Sequence, residues 1–104
     1  MFARASTMIG SPAKADEATS VLAGQVAPQM QQIEGFSGII GLVDRETGKS
    51  LVITLWETQE ALEASEEIAN KLRATAATEL GSVETPTIDR YEVVLQDVRS
   101  PVHA

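Results

Sequence analysis

The chain contains no cysteine in its 104 residues. That excludes disulfides, thiolate metal sites and cysteine nucleophiles, and it fits a cytoplasmic location. Histidine occurs once, at His103. A Ser-His-Asp triad or a histidine-based zinc site needs a rigidly held imidazole, and His103 falls in a segment that reads as a loose tail. Basic residues are scarce, 8 against 15 acidic ones, for a net charge of −7. They are spread along the chain and form no patch to neutralise phosphates, so nucleic acid is excluded as a partner. Long apolar runs are absent too. A stretch such as Ile39-Ile40-Gly41-Leu42-Val43 is far short of the roughly 20 residues that span a bilayer. The N-terminus, Met1 to Ser6, has no basic region leading into an apolar run, so no signal peptide is read and no membrane partner is expected.

The composition that remains, 43% hydrophobic and 22% charged, belongs to a folded globular chain rather than a disordered one. Its length supports one hydrophobic core and not two. The acidic excess gathers at Glu57, Glu60, Glu63, Glu66 and Glu67, a solvated helix face rather than a cation site. No spaced carboxylate loop for magnesium or calcium is present, and no metal or cofactor is expected.

Residues 2–9 read as a first strand. Gly10-Ser11-Pro12 punctuates the chain, with Ser11 placed to cap a helix and Pro12 suited to its first turn. Ala15, Ala18, Leu22, Val26, Met30 and Ile33 then recur every three or four residues, the apolar stripe of an amphipathic helix that Gly35 ends. Pro28 removes a helical hydrogen bond, so a kink or restart is expected there. Residues 36–43 and 51–57 are rich in β-branched and aromatic residues and flank the polar Asp44-Arg45-Glu46-Thr47-Gly48-Lys49, the pattern of a β-hairpin. Thr58 caps a second helix carrying Leu62, Ser65, Ile68 or Ala69, Leu72 and Ala76, with Gly81 as its stop. Ser82 to Pro86 is a loop, residues 87–98 a last strand, and 100–104 a tail. One domain therefore occupies residues 1–99.

The order β-α-β-β-α-β, with both helices on one face of an antiparallel sheet, is the ferredoxin-like α+β arrangement. Strand parity adds a partner. Leu51, Ile53 and Leu55 point to one side and Val52, Thr54 and Trp56 to the other, while Phe36, Ile40 and Leu42 oppose Ile39 and Val43. Both faces are apolar, and two helices cover only one. Burial of the other face against a second copy gives a homodimer.

Gly35-Phe36-Ser37-Gly38 and Leu55-Trp56-Glu57-Thr58-Gln59-Glu60-Ala61-Leu62 resemble the antibiotic biosynthesis monooxygenase-like family of the dimeric α+β barrel superfamily. The resemblance implies a dimer with its sheets face to face and a pocket between sheet and helices in each subunit. It also implies a cofactor-independent monooxygenase-like protein that acts on, or binds, a small aromatic phenol or quinol. In such a pocket the candidate catalytic residues are Arg4, to hold a phenolate or stabilise charge on reduced oxygen, and Tyr91, to move a proton. The candidate substrate-binding residues are Trp56, Thr54, Ser6, Leu62, Ser65 and Leu72. Each also has a plainer reading, Trp56 as packing and Arg4 and Tyr91 as ion-pair or interface residues. The alternative for the whole chain is a non-catalytic ligand-binding or stress-response dimer.

The haem-degrading branch of that superfamily fits poorly. Its first-strand asparagine is missing, Ser65 stands where its second-helix tryptophan falls, and Thr75 stands near the position of its iron-binding histidine. Gly48-Lys49-Ser50 is the end of a phosphate-binding loop in appearance only. Val43 replaces the required glycine and the segment enters a strand rather than a helix.

Overall fold

The computed structural model describes residues 1–80 and 86–99. The expected stop at Gly81, the loop from Ser82 to residue 85 and the tail 100–104 with His103 lie outside them, as does the side chain of Ala76. The described chain runs β1 (Phe2–Ile9), a single 3-10 turn (Pro12–Lys14), α1 (Ala15–Val21), a π turn (Leu22–Val26), α2 (Ala27–Met30), β2 (Phe36–Val43), β3 (Lys49–Trp56), α3 (Gln59–Ala64), α4 (Glu66–Leu80) and β4 (Thr87–Glu92). The sheet order is β2-β3-β1-β4, antiparallel throughout. This is the ferredoxin-like α+β arrangement expected from the element order. No described helix is long and apolar enough to cross a membrane.

The first helix is one structure in three registers. Pro28 has no N–H to give to the carbonyl of Gly24, and its ring crowds that carbonyl. The chain answers by widening the preceding turn, where the Ala27 N–H donates to the Leu22 carbonyl, five residues back. The expected interruption at Pro28 is thus a π turn just before it. The wider turn also shifts the stripe, burying Val21 and leaving Leu22 half-buried. Ser11 does not cap with its side chain; its carbonyl accepts the Lys14 N–H at 3.0 Å instead.

Thr58 does cap α3, its hydroxyl accepting the Ala61 N–H at 3.1 Å. The second helix, expected as one piece, breaks at Ser65 into α3 and α4. In the hairpin loop the Asp44 carboxylate accepts the N–H groups of Glu46 and Thr47 at 2.9 and 3.3 Å. These bonds hold its carboxyl below the ordinary range. Gly48 closes the loop at φ 81°, and a Cβ there would stand 2.1 Å from the Gly10 carbonyl oxygen. Glycine therefore serves loop closure against the chain after β1, not phosphate binding.

Strand parity places Ser50, Val52, Thr54 and Trp56 of β3, together with Arg4, Ser6 and Met8 of β1, under the helices. Leu51, Ile53 and Leu55 occupy the other face. One residue departs from simple alternation. An irregularity between Phe36 and Gly38 pairs Phe36 with Trp56, so Phe36 joins the helix-side core and not the face of Ile40 and Leu42. Its ring meets that of Trp56 edge-on at 5.5 Å.

The last strand is shorter than expected. β4 pairs with β1 from Thr87↔Thr7 to Glu92↔Phe2, and one more bond joins the Val93 N–H to the Met1 carbonyl. β1 begins at Phe2, and past that level residues 93–99 leave the sheet, with Val94 and Leu95 exposed.

Candidate functional site

β1 is an inner strand, and its helix-side residues meet the α3/α4 break. Arg4 stands there at 2% exposure. A guanidinium taken out of water needs partners. The break supplies them, because the Leu62 carbonyl at the end of α3 takes only a long bond from the Ser65 N–H, 3.3 Å, and stays open to side-chain donors. Arg4 Nη2 donates to the Leu62 carbonyl at 2.7 Å and to Ser65 Oγ at 3.0 Å, and lies 3.3 Å from Glu66 Oε1. Ser65 Oγ in turn donates to the Leu62 carbonyl at 2.7 Å. On the far side Arg4 Cζ sits 5.8 Å from the centroid of the Trp56 ring, a cation–π distance. The Trp56 N–H donates to Thr54 Oγ1 at 3.0 Å.

One side of the guanidinium is unanswered. Arg4 Nε and Nη1 are buried and have no hydrogen-bond partner among the described residues. Arg4 lines a cavity of about 30 Å³, whose polar lining is Arg4, Ser6, Thr54 and Arg73 and whose apolar lining includes Met8, Leu22, Val26, Met30, Val52 and Leu72. Such a space takes a water-sized group or an oxyanion head. Benzene occupies engineered cavities of about 150 Å³, so a ring does not fit as the cavity stands.

The cavity is electropositive. Arg73 donates from Nε to Ser6 Oγ at 3.2 Å and from Nη1 to Asn70 Oδ1 at 2.6 Å. Burial lowers the pKa of Arg4, Glu66 opposes that shift and Arg90 adds to it. Burial also lowers that of Arg73, with repulsion from Arg4 next in weight. Glu66 is the counter-charge. Burial pushes its carboxyl up, but the hydrogen bond from Arg90 and the charges of Arg4 and Arg90 outweigh that and hold it below the ordinary range. Arg90 Nε donates to Glu66 Oε1 at 2.7 Å.

Glu66 therefore ties acid stability to the site. A carboxyl with a depressed native pKa adds stability above its unfolded value, and that stability is lost as pH falls through the native value. Urea midpoints measured from pH 7 down to pH 3 should fall more steeply for the native chain than for Glu66→Gln. At pH 7 the variant should be about 1.5–3 kcal/mol less stable, the range for losing hydrogen bonds to charged groups. Parallel curves would remove Glu66 from this role.

Of the candidate residues, Arg4, Ser6, Thr54 and Leu72 line the cavity. Leu62 and Ser65 stand behind it, holding the guanidinium. Trp56 is fully buried beside Arg4 without lining the cavity. Tyr91 is elsewhere. It pairs with Ala3, on the opposite face from Arg4, and is 57% exposed. The two candidate catalytic residues are thus not brought together in one chain. Alternation along β4 gives Arg90 that side and turns Tyr91 away.

Sequence reasoning missed Arg73 and the role of Glu66. Arg73 follows Ser65 and Ala69 at intervals of eight and four, so a search for charged residues on the apolar stripe of α4 finds it. Thr75, near the expected position of a haem ligand, is exposed and donates to the Lys71 carbonyl at 3.2 Å. No group of three or more His, Asp or Glu residues suited to a metal ion occurs among the described residues.

No protein-family model matches the chain. An uncharacterized protein of Mycobacterium tuberculosis strain H37Rv is 30% identical over 103 residues, which are 99% of this chain and 43% of that protein. A second from the same strain is 30% identical over 93 residues, 89% of this chain and 41% of the relative. The chain thus spans less than half the length of these relatives.

Among solved structures, a monooxygenase of Streptomyces coelicolor in complex with nanaomycin D superimposes with a TM-score of 0.75 at 16% identity, covering 95% of this chain and 92% of that one. A cofactor-independent oxygenase of Streptomyces nogalater gives 0.66 at 18% identity, over 91% of this chain and 94% of that one. A dimeric ferredoxin-like protein from an uncultured marine organism gives 0.66 at 14% identity, over 95% of this chain and 92% of that one.

Proposed function

We propose, for a chain with the fold of the antibiotic biosynthesis monooxygenases, that it binds a small phenol- or quinol-type aromatic as its anion and oxygenates it without metal or flavin. The buried Arg4, which lines the cavity beside Arg73 and whose Nε and Nη1 have no partner among the described residues, carries this reading. Donors fixed in a dry site stabilise an oxyanion more than water-exposed ones do, so a bound phenol ionises more readily. A phenolate is the electron-rich form that reacts with dioxygen. The inner cavity takes the oxyanion end and not the ring. The solved oxygenases of similar fold support the same class of chemistry.

The test is oxygen uptake by the purified protein against hydroquinones and polycyclic phenols, with no cofactor added and quinone absorbance followed in parallel. Protein-dependent uptake matched by quinone, and lost in Arg4→Met, is the expected result. One observation favours a second reading, ligand binding without turnover. Among the described residues, the cavity lining includes no carboxylate, imidazole or phenol to accept a proton. Binding of the same compounds without uptake would establish it.

The pocket belongs, in this proposal, to a homodimer. Ile40 and Leu42 are 43% and 49% exposed beside Leu51, Ile53 and Leu55 on the face opposite the helices, and the solved dimeric ferredoxin-like protein has the same fold. Ile53→Asp places a carboxylate in the middle of that face. Light scattering at micromolar concentration should give a dimer for the native chain and a monomer for the variant, with dissociation raised about 100-fold or more, as for a charge buried without a partner. A native monomer would overturn the dimer.

A further inference from the structure

Outside the inner cavity, between the first helix and β2, lies an apolar groove of about 240 Å³ lined by Ala18, Leu22, Ala23, Ala27, Ile39 and Gly41 among others. Its width comes from alanines on the helix side opposite a glycine on the strand. Among the described residues, Leu22 alone lines both spaces. It is half-buried, opens the π turn, and its carbonyl accepts the Ala27 N–H. A Cβ built on Gly41 would stand 3.4 Å from Leu22 Cδ1, so the side chain reaches across to the strand.

We propose that cavity and groove form one binding site divided by Leu22, with the oxyanion head of a ligand held at Arg4 and its apolar body of one or two rings in the groove. Leu22 acts as the gate between them. This rests on the reading of Arg4 as the oxyanion-binding group, and it resolves a mismatch of size. The inner cavity has donors without room for a ring, whereas the groove exceeds the roughly 150 Å³ that benzene takes and has few polar atoms. Moving Leu22 joins them. π turns often mark functional positions in helices, and this one sets Leu22 half-buried at the divide, packed against both core clusters.

The probes are 2-naphthoate, its neutral counterpart 2-naphthalenemethanol, and acetate, titrated into the full chain by calorimetry. Rates are read from quenching of Trp56, the single tryptophan. Naphthoate should bind more tightly than acetate by about tenfold or more for the buried ring area, and more tightly than the neutral alcohol by about tenfold or more for its charge-assisted hydrogen bonds to Arg4. Gly41→Val, which fills the groove floor, should weaken naphthoate about tenfold and leave acetate unchanged. Gly41→Ala is the milder version if valine perturbs the strand. Leu22→Ala should speed naphthoate association about tenfold.

If naphthoate binds no better than the neutral alcohol, the oxyanion reading fails. If naphthoate binds through its charge but neither Gly41→Val nor Leu22→Ala changes affinity or rate, the gate and groove fail while the oxyanion reading stands. No binding of naphthoate to the native chain would overturn both.

Discussion

Replacing Arg4 by methionine should weaken binding of an anionic aromatic by about 10- to 100-fold, since hydrogen bonds to charged groups contribute about 1.5–3 kcal/mol, yet leave the fold nearly as stable as before. Each atom that Arg4 contacts keeps another partner. The Leu62 carbonyl retains the Ser65 hydroxyl, and Glu66 retains Arg90. Methionine fills the same length of apolar space without a desolvated charge, and Glu66, still paired with Arg90, is not left as an uncompensated buried charge. Calorimetric binding of a naphthoate, paired with thermal unfolding, separates the two effects. Binding unchanged with stability lost by several kcal/mol would make Arg4 a structural residue. Arg4→Ala is a poorer test, because it adds a void whose cost is mixed with the loss of function.

The second large effect is at Trp56. It is fully buried, belongs to the main core cluster, packs on Phe36 and donates to Thr54. Trp56→Ala should cost about 3–5 kcal/mol, out of the roughly 5–15 kcal/mol that hold a domain of this size. Urea unfolding measures it directly. Trp56→Phe keeps the ring contact and leaves the Thr54 hydroxyl without its donor, so it should cost about 1–2 kcal/mol. Equal losses in the two variants would mean that ring packing contributes little and the hydrogen bond nearly everything.

Much of the architecture is legible in the residues themselves. Two β-rich runs around Asp44 to Lys49 mark the hairpin, and the alternation along Leu51–Trp56 tells which residues share a face. Where the pattern misleads, a non-local or backbone effect intervenes. Alternation fails at Phe36, because the irregularity before Gly38 is a property of pairing with β3. β4 stops level with the start of β1, which the apolar residues Val93, Val94 and Leu95 do not reveal. The helix break at Ser65 packs on a buried arginine from a strand 61 residues earlier in the chain, a contact that local spacing does not reveal.

The site is half legible. Ser6 and Thr54 share the parity of Arg4 and Trp56, so naming one face names all four. The orphaned nitrogens of Arg4, the second guanidinium of Arg73 and the position of Leu22 arise from packing between elements distant in sequence. Tyr91 looks equivalent to Arg90 only because a single strand cannot say which of its faces the rest of the chain will cover.

The widened turn at Leu22–Val26 also bears on how this chain should be aligned with others. Val21 and Val26 are both buried five positions apart, whereas buried residues on a regular helix recur at three or four. A homologue with an unbroken helix here should therefore carry one residue fewer between these two valines. The gap belongs inside the helix, not in a neighbouring loop. Moved elsewhere, it would rotate half of the stripe by about 100° against its counterpart and match core positions to solvent-facing ones.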